Sequence, residues 1–430
     1  MGTLHNTFLA RVLAEAKNAS KDLMKRLLSE KLARAGIDPS DPLVDAMYTH
    51  FQSGSDEPFH WDGDAPDIDI VFDDADFAEV DKLSERLTGE VKDAAEVEGR
   101  KSARDLQRQF KRSWRATREY ELFAEDVFRS NLEDRWSVAL DGLRILLQYC
   151  REMGQRYFDR FRRSKSPKNR NLRAILSMLH LRACQVVSEI LALLETGFPD
   201  GAMARWRTLH EIVVVAYVIN KGGDEVAERY SDHEVVEHKA ALDEYTKNDK
   251  ALGYAPIPDR EVKLIRAKYD SALVKYGKEF GHSNGWATKL LKNPRPNFVN
   301  LEQAADFMAM RSYYKMASYN VHAGIRGLTQ RIGSIGKPSH LIGGATNAGL
   351  EEPGIRAARS MATLTLLLMN DTSKLDDVVE YGILSDLVNQ AEKAFARVAR
   401  KLDADERPAQ EPRLAYQSKR RADKRARYSP

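Results

Sequence analysis

"LRAILSMLHLRACQVVSEILALLETG", residues 172–197, decides the fold. Leu172, Ile175, Leu176, Leu179, Ala183 and Val186 recur at steps of three and four, and Val187, Ile190 and Leu194 continue the series. This spacing lays an apolar stripe along one side of a helix, and no period-two alternation competes with it. Gly197 stands where a helix end uses left-handed backbone, and Pro199 follows. The same periodicity appears upstream in "TFLARVLAEAKNASKDLMKRLLSEKLARAG", 7–36, and in "RWSVALDGLRILLQYCREMGQRYFDRF", 135–161. One long helix, or several, fits 77–165. Downstream, the spacing predicts helices over 201–220, 223–246, 259–278, 301–332, 354–371 and 374–402. The fold class is all-α, a multi-helix bundle with long N-terminal helices.

One segment resists this reading. Residues 53–76, "SGSDEPFHWDGDAPDIDIVFDDAD", are acidic and carry two prolines. They end in an alternating run that allows at most one short strand pair near 66–73. The order Gly54-Ser55 followed by Asp67 and Asp69 is that of nucleotidyltransferases, where paired carboxylates hold magnesium against a triphosphate. That chemistry needs a small sheet carrying a third carboxylate, and 77–165 has only helical periodicity. The favoured reading is a loop feeding a helix through a capping box Asp76-x-x-Glu79. A second loop, 332–354, is rich in Gly, Ser and Pro without the order of a phosphate-binding loop. The chain therefore divides into an N-terminal helical region, 1–130, a helical core domain, 131–402, and a basic tail, 403–430, whose composition predicts disorder.

The chain has 430 residues, 43% of them apolar and 30% charged, enough to bury a sizeable core. No apolar run approaches the roughly 20 residues of a membrane span, and the N-terminus has no signal-peptide pattern, so no membrane partner and a cytoplasmic location are expected. The Met-Gly start lacks the hydroxyl residue of a myristoylation signal at position six, where Asn6 stands. Cys150 and Cys184, both within predicted helices, exclude a disulfide framework. Neither a zinc pattern nor a cofactor motif is present. His233 and His238 lie five residues apart, about 140° around a helix, which is not the spacing of a one-face metal pair. His180, on the apolar helix, reads as a satisfied core residue.

The net charge of +3 does not by itself indicate a nucleic-acid binder. The positive charge is blocked, however, at 100–118, around 151–173, and at 419–427. Such blocks serve either as solvated helix faces or as phosphate-binding surfaces.

The polar cluster of interest lies in "ARWRTLHEIVVVAYVIN", 204–220, where two arginines, a histidine and a glutamate precede an apolar run. Arg207 shares a helix face with His210 and Glu211, at three and four residues, while Arg205 points elsewhere. A later segment repeats the pattern with Arg311, Tyr314, Ser318 and His322. Facing inward together, the two stripes make either a catalytic cluster or a polar brace.

The order "GAMARWRTLHEIVVVAYV", "DEVAERYSDHEVVEHKAALDEY", "HSNGWATK" and "YYKMASYNVHAG" resembles a helical family of unknown function, DUF5677, over roughly 135–335. The resemblance rests on Arg207, Glu211, Tyr230, Trp286, Ser318 and His322, and it implies no established activity. The stretch Arg205 to His210 also resembles the Arg, four to six residues, His pattern of the HEPN ribonucleases, small helical toxins and defence nucleases that act as dimers. That second resemblance implies metal-independent RNA cleavage in a toxin or anti-phage effector. Arg207, His322, Glu211, His210 and Arg205 would form the site, and RNA and a homodimer partner are expected. The alternative is a non-enzymatic sensor or adaptor whose cluster braces two helices.

Overall fold

A computed structural model describes residues 2–55, 57–61, 68–164, 166–329, 343–369 and 375–427, with side chains between 6 and 405. Thirteen α-helices run in order among the described residues. They are α1 (Gly2–Arg34), α2 (Asp41–Ser53), α3 (Asp74–Arg163), α4 (Arg170–Glu195), α5 (Pro199–Asp232), α6 (Glu234–Leu252) and α7 (Asp259–Tyr276). Then follow α8 (Thr288–Leu291), α9 (Phe298–Ala304), α10 (Arg311–Tyr319), α11 (Ile325–Thr329), α12 (Glu351–Leu366) and α13 (Leu375–Arg427). No strand occurs among the described residues, and the fold is all-α as the periodicity predicts. The chain forms two compact units, 1–122 and 123–430.

In the first unit, α1 and α2 bury Leu28, Leu32, Leu43 and Val44 against each other. Ile68, Ile70 and Phe72 pack on this small core, while Asp69 and Val71 are exposed. The alternation read from sequence is therefore real, but it makes a strap on two helices and has no strand partner among the described residues. Asp67 lies outside the described residues. The helix cap sits three residues before the predicted one. Asp73 Oδ1 accepts from the amides of Ala75 and Asp76, and Asp76 Oδ2 accepts from the Asp73 amide at 2.7 Å. Glu79 instead pairs with Arg26, and Lys31 bridges Asp73 and Asp76. Asp73→Ala should destabilise the first unit through the lost N-cap. An unchanged denaturation profile of the first unit would refute this.

The second unit is built on α4 and α5, with α12, α13 and the last third of α3 around them. Gly197, at φ 79°, closes α4 as predicted, its amide bonding to the Leu194 carbonyl and that of Phe198 to the Leu193 carbonyl. Thr346, at the end of the glycine-rich loop, bonds through its amide to the Gly197 carbonyl, and Asn347 accepts the indole N–H of the fully buried Trp136. Residues 332–342 of that loop lie outside the described residues. Predicted as two helices, 201–220 and 223–246 are instead divided by a kink inside α5 at Gly223, whose φ of 67° no other residue type holds cheaply, and by the α5–α6 junction at His233.

Two further expectations meet a different backbone. The continuous helix over 301–332 is broken: Asp306 takes a left-handed φ of 62°, the Phe307 amide bonds back to the Glu302 carbonyl, and a turn at 320–324 separates α10 from α11. Across the first break the apolar residues Leu301, Phe307 and Ala317 stay on the core, whereas past the second Val321, Ile325 and Leu328 are exposed. Helix α13 is drawn to Arg427, a helical backbone where composition predicts a disordered tail. Its Ala, Glu, Arg and Lys content explains the helical preference. Helix α4 is long and apolar enough to cross a membrane, and half of its most apolar window is buried in the bundle.

His180 is a core residue, as expected. It is 4% exposed and its Nε2 meets the Thr365 hydroxyl at 3.0 Å. Burial lowers its pKa from 6.5 to about 4. The unfolded chain therefore binds a proton that the folded chain excludes, and stability falls as pH drops below 6.5. Between pH 7 and pH 5 this group should remove about 2 kcal/mol. Urea unfolding of the wild type and of His180→Gln at both pH values checks it: equal losses in the two proteins would refute the assignment.

Candidate functional site

The predicted cluster separates into an inner triad and an outer pair. Within α5, Arg207, His210 and Glu211 fall on one side because three- and four-residue steps nearly complete a turn. Helices α9 and α10 close over that side.

The inner triad is His210, Glu302 and Arg311. Glu302 is fully buried and His210 is 2% exposed. His210 Nε2 lies 3.1 Å from Glu302 Oε1, and Arg311 donates to Glu302 Oε2 at 2.6 Å. Aromatic rings enclose the imidazole: Trp206 at 5.3 Å, Phe298 at 6.1 Å, Phe307 at 6.0 Å and Tyr314 at 5.7 Å between centroids. Burial lowers the His210 pKa and Glu302 opposes the shift, with burial prevailing. The imidazole is neutral at pH 7 and donates its Nε2 proton to the carboxylate, while Arg311 supplies the compensating charge. A histidine so enclosed holds the helices together and has no access to a bulky substrate.

The outer pair is Arg207 and His322. Arg207 donates through Nε to Glu211 Oε1 at 3.1 Å, and its guanidinium lies 4.8 Å from the centre of the Tyr314 ring. Tyr314 donates its hydroxyl to the same Glu211 oxygen at 2.6 Å. Burial together with this bond raises the tyrosine pKa to about 12. Glu211 and Tyr314 thus lock the guanidinium in place. Its remaining edge faces His322, with Nη1 3.4 Å from Nε2. A guanidinium only donates, so Nε2 stands as the acceptor in this contact. His322 is exposed and stands in the turn after α10, at the lip of a cavity of about 310 Å³ that also touches Asp200 and Gly201.

The remaining candidates do not converge on this pair. Arg205 turns to α4 and pairs with Glu189. Ser318 donates its hydroxyl to the Tyr314 carbonyl one turn back. Tyr230 packs edge-on against Trp286 at 5.1 Å in a separate brace, where the buried Arg229 donates to the carbonyls of Trp286 and Gly285. His233 bonds to the His282 carbonyl while His238 is exposed, and no group of three or more metal-ligating side chains occurs among the described residues. In the basic block of α3, Arg100, Arg108 and Arg115 pair with acids three or four residues away on the same helix, which is the pattern of a solvated face. Sequence reasoning missed Glu302 and Arg229. The signal for Glu302 was a carboxylate next to Leu301 in "FVNLEQAADF", at a position where the apolar spacing turns a residue toward the core and a charge needs a buried partner.

Residues 173–337 match a family described as of unknown function, DUF5677. The matched span begins in α4 and ends past α11, so it holds the inner triad and the outer pair together. No curated protein and no solved structure matches the chain.

Proposed function

We propose that the DUF5677 segment is a metal-independent RNA endonuclease of HEPN-like type, serving as a toxin or anti-phage effector, with Arg207 and His322 as its reactive groups. The contact of a locked guanidinium with an exposed imidazole at 3.4 Å carries this reading. In such a reaction His322 takes the proton from a ribose 2′-hydroxyl, the oxygen attacks the adjacent phosphorus, and Arg207 balances the charge that builds on the phosphoryl oxygens. The bond to the 5′-oxygen breaks, and the proton passes to that oxygen, leaving a 2′,3′-cyclic phosphate. Glu211 and Tyr314 act as positioning residues for Arg207. His210 and Arg205 serve the fold in this scheme.

The test is incubation of the purified full chain with end-labelled RNA in EDTA. The expected products carry 2′,3′-cyclic phosphate ends, and DNA of the same sequence stays intact because it has no 2′-hydroxyl. Intact RNA, or cleavage only after a divalent metal is added, would refute the proposal. The sealed inner triad favours one other reading, a non-enzymatic sensor or adaptor whose cluster holds α5 against α9 and α10. Intact RNA would support it.

A further inference from the structure

On the antiparallel faces of α3 and α4 lies a groove of about 1000 Å³ that the reading above does not use. Its two ends differ in chemistry. Toward the α3 C-terminus the walls are Phe158, Phe161, Ala174, Met178 and Leu181. Met178 and Leu181 are 58% and 72% exposed, so the apolar lip stands open to solvent among the described residues. At the other end is Arg151, which donates to the Ser188 hydroxyl at 2.7 Å. Among the described residues no carboxylate pairs with this guanidinium, whereas its neighbours on α3 do find acids: Arg144 pairs with Glu195 and Arg156 with Glu380.

The floor is uncharged. Gly154 leaves the space in which the His180 ring lies, since a Cβ there would come within 2.5 Å of Cε1. That ring is spent on Thr365, and burial keeps it neutral at pH 7. Burial likewise raises the pKa of the Cys184 thiol, to about 11. From Arg151 to Phe161 is ten residues of helix, or roughly 15 Å. The result is a mostly apolar trough, with Gln155, Ser177 and Gln185 also in its lining, that ends at a cation without a carboxylate partner among the described residues.

We propose that this groove binds a free single-chain amphiphile with an anionic head, its chain along Phe158, Met178 and Leu181 and its carboxylate or phosphate on Arg151 and Ser188. The charge at one end and the apolar length beyond it select this class over a neutral or cationic lipid: an anionic head supplies the partner that Arg151 lacks, and an ammonium head would meet it as a like charge.

The experiment is fluorescence titration of the full chain with dansyl-undecanoic acid, followed by competition with dodecanoate, dodecanol and dodecylamine. Saturable binding at one site per chain is expected, with dodecanoate displacing the probe at least tenfold better than the alcohol or the amine. Arg151→Glu should weaken probe binding at least tenfold, and Ala174→Trp, which fills the apolar end, should abolish it, both with unchanged circular dichroism. Binding that neither variant alters, or no saturable binding by the folded chain, would overturn the proposal. So would a chain that elutes as a dimer and becomes monomeric in Leu181→Asp, for then a second copy covers the groove. Co-sedimentation with anionic vesicles without uptake of the free probe would overturn it in favour of a membrane surface. None of these readouts depends on RNA cleavage.

Discussion

His322→Ala is expected to lower RNA cleavage by about 10²- to 10⁴-fold, the usual contribution of a proton-transfer group, while leaving the thermal midpoint unchanged. The reason for the second half is geometric. His322 is exposed, and among the described residues its side chain hydrogen-bonds only to Arg207. The rate of product formation under single-turnover conditions, together with a melting curve, checks both parts. A folded His322→Ala that cleaves at the wild-type rate would remove imidazole chemistry from the site. A loss of fold would instead make His322 a structural residue.

Glu302→Ala is expected to destabilise the second unit by about 3 kcal/mol or more. Its carboxylate is fully buried and joins two partners, His210 and Arg311, from different helices. Truncation leaves a guanidinium without its counter-charge and a buried imidazole N–H without an acceptor, which is far worse than never having built the triad. Glu211→Ala is the control. Arg207 and Glu211 have side chains 23% and 37% exposed, so water screens what is left behind and the expected cost is nearer 1 kcal/mol. Urea unfolding of the two variants separates them. A Glu302→Ala no less stable than Glu211→Ala would show that the inner triad is not the brace.

The two halves of the cluster also differ in how they could be read. Arg207 with Glu211 was legible from one segment because both lie on a single helix and a four-residue step sets their contact. Arg207 with His322 was a pairing of two stripes by analogy, and their side chains are 115 positions apart. His210 looked equivalent to Arg207 in sequence, one step along the same face. Packing made them different: α9, α10 and the turn between them put Phe298, Tyr314 and Phe307 around His210, while Arg207, one turn nearer the N-terminus of α5, stays at the edge of that cover. The cap at Asp73 was misplaced for a related reason. Asp73, Asp74 and Asp76 all suit an N-cap, and Lys31, from α1, bonds to Asp73 and Asp76 across the turn.

By itself, the amino-acid sequence determined the all-α class, the long helices, the closure of α4 at Gly197 and the alternating cover of 68–72. These depend on backbone hydrogen bonds between residues three or four apart, on side-chain period and on the backbone freedom of glycine, all of which are local. Only the tertiary structure decided that 301–332 breaks into short helices, which histidine is sealed and which is open, and that Glu302 holds Arg311. Burial is a sum over distant neighbours, and the charge state and reach of a buried group depend on that sum.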